Sequence, residues 1–118
     1  MGANGILRIT ALFSYTNSVN NKTLRFRFGN GLSGTIFVSS INTTTASYRL
    51  THVIQNRNSA SSQVGGMLNG TIGGSTSAVV TGTIDTTAQQ TVSITGQLAN
   101  TGETITLESY LVELAYQS

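Results

Sequence analysis

From Leu7 to Tyr15 the chain alternates: Leu7, Ile9, Ala11, Phe13 and Tyr15 share one parity and Arg8, Thr10 and Ser14 the other, with Leu12 the exception. Successive side chains of an extended chain point to opposite faces, so a period of two predicts a strand with one buried face. The pattern returns with Leu24, Phe26 and Phe28 against Thr23, Arg25 and Arg27, then over Thr35 to Ser39. A fourth segment sets Tyr48, Leu50, His52 and Ile54 against Arg49, Thr51, Val53 and Gln55. A fifth, Gln63 to Thr71, is interrupted by Gly65-Gly66, which predicts a bulge or a close backbone approach. Ser77 to Ile84, Thr91 to Leu98 and Thr104 to Tyr116 complete the set. In the last segment Ile105 and Leu107 keep one parity while Val112 and Leu114 keep the other. That shift predicts a bulge near Ser109, or burial on both faces.

Turn chemistry separates the segments. Asn17 to Asn21, Gly29-Asn30-Gly31, Asn42 to Thr45, Gly73 to Thr76 and Asn100 to Glu103 are rich in residues that tolerate left-handed backbone or bond their own main chain. The polar, unpatterned stretch Asn56 to Ser62 is the longest expected loop. About eight short strands at regular spacing, with no helical pattern, predict an all-β antiparallel β-sandwich. A jelly roll of about eight strands, a single domain over 1–118, fits best. In that order the first and last strands are neighbours, so Arg8 is expected opposite Glu108 or Glu113.

Composition narrows the function. Charged residues make up 8% of the chain against a usual ~25%, and proline is absent. The polar mass is Thr, Ser and Asn, interleaved with branched and aromatic residues that suit a pleated surface. No cysteine is present, so disulfides, thiolate metal sites and a cysteine nucleophile are excluded. No apolar run reaches the ~18 residues of a membrane span, and no signal-peptide pattern opens the chain, so synthesis in the cytoplasm and no membrane partner are expected. Net charge is +2, with all six Lys and Arg in the first half and all four acids in the second. Cross-strand pairing between the terminal strands is the favoured explanation, ahead of a basic face for phosphates.

Catalytic readings fare poorly. His52 is the only histidine, and its parity with Leu50 and Ile54 gives it a core address instead of a place in a Ser-His-Asp triad. Glu103, Glu108 and Glu113 are spaced by five, which in a regular strand sends neighbours to opposite faces and away from a glycosidase pair. With one histidine and no cysteine, no metal and no cofactor are expected. Arg25 and Arg27 share a face, but Phe26 and Phe28 point inward, unlike the exposed aromatics of nucleic-acid-binding sheets, so no nucleic acid partner is expected. The chain is thus expected not to be an enzyme. Candidate contact residues are Arg25 and Arg27, free to meet an acidic partner or an anionic glycan, and Asn56, Arg57, Asn58 and Ser59 of the long loop. That loop and Gly70 to Thr76 are expected to lie together at one end of the sandwich, where recognition loops gather.

The runs Met1 to Ile9 (MGANGILRI), Tyr15 to Arg25 (YTNSVNNKTLR), Ile54 to Ser59 (IQNRNS) and Thr104 to Glu108 (TITLE) resemble structural-protein domains of tailed bacteriophages, found in tail fibres, spikes and head decorations. The resemblance spans most of the chain and consists of strand and turn signatures. It implies a jelly-roll module that forms a homo-oligomer, a trimer above all, on the virion surface. Partners would be other virion proteins, capsid or tail, and a host surface glycan. A complete chain would fit a capsid decoration or cement protein, and a fragment the receptor-binding tip of a fibre or spike. A free carbohydrate-binding module is the alternative, weakened by the absence of Trp.

Overall fold

The computed structural model describes residues 1–67 and 73–115. The strands are β1 (Ile6–Tyr15), β2 (Lys22–Phe28), β3 (Thr35–Asn42), β4 (Ser47–Asn56), β5 (Gln63–Met67), β6 (Val79–Gly82), β7 (Val92–Leu98) and β8 (Ile105–Ala115), with one turn of 3-10 helix at Gly31–Ser33. Two sheets pack as a sandwich: a five-stranded one in the order β6-β5-β4-β1-β8 and a three-stranded one in the order β3-β2-β7, every pairing antiparallel. The neighbouring of β1 and β8 that a jelly roll requires is present, as is that of β2 and β7. β3 and β4 pair with β2 and β1, giving five strands over three. The end of the predicted fifth segment, Leu68 to Thr71, and Tyr116 lie outside the described residues.

The predicted buried parities form the core: Leu7, Ile9, Ala11, Phe13 and Tyr15 of β1, Leu24, Phe26 and Phe28 of β2, and Leu50 and Ile54 of β4. β3 adds Phe37 and Val38, two adjacent residues that are both buried. A register shift against Phe26/Arg27 explains how. The bulge inserts one residue and turns both side chains inward, where a regular strand would turn one out. Lys22 continues the inward parity of Leu24 and is fully buried at the mouth of β2. Its Nζ donates to the Ser18 carbonyl (3.2 Å) and Oγ (3.1 Å) and lies 5.6 Å from the centre of the Tyr15 ring. A buried ammonium needs such partners, because stripping its water otherwise costs several kcal/mol.

The bulge expected near Ser109 is there. The β1–β8 register shifts between Leu12 and Phe13, with Ser109 opposite Leu12 and Leu107 opposite Phe13. The sixth strand is shorter than its sequence pattern, ending at Gly82 instead of Ile84. The Gln63 side chain takes the place of a neighbouring strand there: it accepts from the Ile84 N–H (2.8 Å) and donates to the Ile84 carbonyl (2.8 Å). The β6–β7 connection, residues 83–91, therefore outruns the 57–62 loop that was expected to be longest.

Candidate functional site

Arg25 and Arg27 lie on β2, the middle strand of the smaller sheet, on its outer face. Arg25 donates to Gln97 Oε1 (2.7 Å) and Arg27 to Thr95 Oγ1 (3.2 Å), both across to β7. No aspartate or glutamate occurs in β2, β3 or β7. The two guanidinium groups thus sit on a plate of hydroxyl and amide groups, hydrogen-bonded to uncharged acceptors.

Asn56 corrects an expectation. It is 1% exposed and offers no contact surface. Its Nδ2 donates to the Gly2 carbonyl (2.8 Å) and Thr86 Oγ1 (2.9 Å), and its Oδ1 accepts from Gln63 Nε2 (3.0 Å). It ties the N-terminal segment, β5 and the 83–91 loop together, a role that parity with Ile54 could have signalled. Arg57 and Asn58 are exposed and Ser59 partly so. Asn58 takes a left-handed φ of 53°, which asparagine bears better than most residues. Its N–H donates to Asn4 Oδ1 (2.9 Å), and the Ser59 N–H to the Ala3 carbonyl (2.9 Å), strapping the loop to the start of the chain.

The two loops expected at one end are separated by β5, so 57–62 and the described Gly73 to Thr76 lie beyond its opposite ends; Gly70 to Ile72 are outside the described residues. What joins 57–62 at its end is the 83–91 loop: Thr86 donates from N–H (2.9 Å) and Oγ1 (2.6 Å) to the Ala60 carbonyl. Beside it lies an open, polar depression of about 600 Å³ lined by Asn30, Ser33, Thr35, Asp85, Gln89 and Thr91, among others. Its wall depends on glycine: Gly29 has φ 79°, and a Cβ on Gly34 would fall 2.0 Å from the Gly29 carbonyl oxygen. Hydrogen bonds from the Thr87 side chain and N–H hold the Asp85 carboxyl below its ordinary range.

The charge asymmetry resolves as expected at one place. Arg8 meets Glu113 on the adjoining strand at 2.7 to 2.8 Å. Ser14 donates to Glu108, and Asn20 Nδ2 to Glu103 Oε1 (2.9 Å). The bulge undoes the expected opposition of Glu108 and Glu113: both reach partners on the solvent face of β1. Those partners, Ser14 and Arg8, are six residues apart, roughly 20 Å along a strand, far beyond the spacing of a glycosidase pair.

His52 is buried, 2% exposed, and its Nε2 accepts the Gly66 N–H (3.2 Å). Accepting requires the neutral ring, and burial lowers its pKa from the ordinary 6.5. The Gly65-Gly66 pair is both bulge and close approach, as its position suggested. The β5–β6 register shifts between Val64 and Met67, and a Cβ on Gly65 would come within 2.5 Å of the Phe37 ring and 3.1 Å of His52. The imidazole serves as a ladder partner for β5 where its pairing with β4 has stopped at Val64.

The remaining feature is the side of the sandwich formed by β7 and β8. Register places Ile105, Leu107, Tyr110, Val112 and Leu114 opposite the buried residues of β1, hence on the core face. Only Ile105 is packed against the core: Gly96 of β7, whose Cβ would meet Ile105 at 2.9 Å, lets the sheets close there. Farther along, Val92 and Ile94 of β7 reach the seam without covering it. Leu107 is 40% exposed, Tyr110 66%, Val112 40% and Leu114 45%, and Leu111 on the other face is 54% exposed. Val92, Ile94, Leu107, Tyr110 and Val112 line a groove of about 250 Å³ along this seam. Of the two explanations of the shifted parity, the bulge is the one found: burial on both faces is not, because the core-side face stands largely open and the outer face carries Leu111 among Thr106, Ser109 and Glu113.

No protein-family model, no curated protein and no solved structure matches this chain.

Proposed function

We propose that the chain is a non-enzymatic β-sandwich module displayed on the surface of a bacteriophage particle, where it self-associates and serves as a capsid decoration protein. The observation that carries the reading is β8: an edge strand with five large apolar side chains left 40 to 66% exposed on its two faces. An apolar surface of this kind marks an association site. The placement on a phage particle rests on the resemblance of the strand and turn signatures to such domains. Electron micrographs of particles made with and without this gene product test it. Loss of a surface feature from heads or tails is expected, and particles unchanged in outline would refute it.

A receptor-binding tip of a fibre or spike is the second reading, favoured by the polar depression between the 29–35 and 84–91 segments. Its hydroxyl, amide and carboxylate groups suit a glycan's hydroxyls, whereas the groove beside Tyr110, the most exposed described tyrosine, is lined by apolar residues alone. Binding on a glycan array that is lost in Asp85→Ala would support the tip. A blank array would leave the decoration reading.

A further inference from the structure

Antiparallel ladders alternate the direction of their main-chain groups. The Tyr15 N–H donates to Ala46, on the β4 side, and the Thr16 N–H to Thr104, on the β8 side. Even-numbered residues of β1 therefore turn their main chain toward β8. Through the register, Ser109, Leu111 and Glu113 face back to β1. The N–H and C=O groups of Tyr110, Val112 and Leu114 point to the open edge, where no described strand pairs with them. The three residues with open main-chain groups thus also carry side chains exposed in the seam.

Natural edge strands are guarded by proline, by lysine, by a bulge or by being short, and the bulge of β8 lies at Glu108, before the open stretch from Tyr110 to Leu114. β8 has eleven residues and neither Pro nor Lys, and its two glutamates are already engaged by Arg8 and Ser14. With roughly 150–250 Å² on each large side chain, the four exposed apolar residues of the seam (Leu107, Tyr110, Val112 and Leu114) present about 400 Å², within the range of a monomer's largest patch and about half of the ~800 Å² that one partner buries in a stable complex.

We infer that the occupant of this edge is β8 of a second copy, paired antiparallel about a two-fold axis through Leu111. The inference rests on the self-association half of the proposed function and specifies its geometry. Only an even register sum keeps the two seams on one face and brings the open main-chain groups together. Centring on Leu111 sets Tyr110 against the second copy's Val112, an aromatic–β-branched pair, and Ser109 against its Glu113, with no like charges opposed. Centring one residue on would set Leu111 against Glu113. The contact joins two five-stranded sheets into one of ten, and the assembly becomes even-numbered instead of the trimer that the resemblance implies.

Leu111 meets its own copy in a non-hydrogen-bonded pair, where Cα atoms stand about 4.5 Å apart, within disulfide reach. The chain has no cysteine, so Leu111→Cys is a clean probe, with Ile41→Cys, exposed on β3, as the control. Sedimentation of the unaltered chain is expected to show twice 12.4 kDa or an even multiple. Mild oxidation should convert most Leu111→Cys chains, and few Ile41→Cys chains, to a covalent dimer. Val112→Pro, which removes an N–H aimed at the open edge, should shift the assembly to monomer with strand circular dichroism retained. An assembled chain in which Leu111→Cys fails to cross-link and Val112→Pro stays assembled would overturn the β8 pairing and leave self-association standing. A monomer at millimolar concentration would overturn both.

Discussion

The two sides of the sandwich solve the same problem in opposite ways. On the β3–β5–β6 side the sheets are sealed by polar groups that act as main-chain substitutes. Gln63 completes Ile84, His52 completes Gly66, and glycines at 65 and 66 let the backbone lie against the Phe37 and His52 rings. On the β7–β8 side a sheet of three strands faces a sheet of five, and apolar side chains stand open with nothing polar to finish the edge. A buried polar group is costly unless bonded, so the first side specifies a closed geometry within one chain. Apolar contact is undirected and roughly proportional to area, so the second is left for another surface to complete.

Substitutions separate the two. Gln63→Leu strips partners from Ile84 and from the buried Asn56 Oδ1 and is expected to cost about 3 kcal/mol in chemical unfolding. A loss below ~1 kcal/mol would show that water replaces the amide and that the closed side is not polar-sealed. Gly65→Ala pushes a methyl into the Phe37 ring and is expected to cost about 2 kcal/mol by the same measurement.

The pH dependence of melting gives a smaller effect. The His52 pKa is lower in the folded chain than the ordinary 6.5, so the unfolded chain binds the extra proton. Its contribution to stability is complete above pH 6.5 and is lost as pH falls through the folded value, with a slope of at most about 1.4 kcal/mol per pH unit. His52→Gln should flatten melting temperature over that window. Asp85 and Glu103 leave it untouched, because their lowered carboxyls act only below their ordinary 3.8 and 4.5. On the open side, Tyr110→Ser should change the stability of the isolated protomer by less than ~0.5 kcal/mol while weakening self-association. A large protomer cost there would mean that the seam is already closed within the chain.

Alternation carried most of the fold. It located eight strands, the buried parities of β1, β2 and β4, the core address of His52 and, as one of two readings, the bulge near Ser109; the expected neighbouring of the first and last strands offered Arg8 either Glu108 or Glu113, and it meets Glu113. It fell short where a side chain replaced a strand. Ile84 continues the pattern of β6, yet Gln63 removes it from the ladder, and Asn56, polar and beside a loop, is drawn inside by bonds to residues distant in sequence. Arg25 and Arg27 were placed on the correct face, whereas the two candidate contact loops were assigned to one end although they flank a single strand, β5, and so lie beyond its opposite ends.

A period of two is a local property: it states which side chains share a face, and for this chain it determined an all-β sandwich. Which faces are covered depends on how many strands each sheet recruits, and that is decided by pairings between distant segments. Only the tertiary structure, with β7 ending the smaller sheet while β8 extends the larger, shows that Leu107, Tyr110, Val112 and Leu114 reach the core face and find no core there.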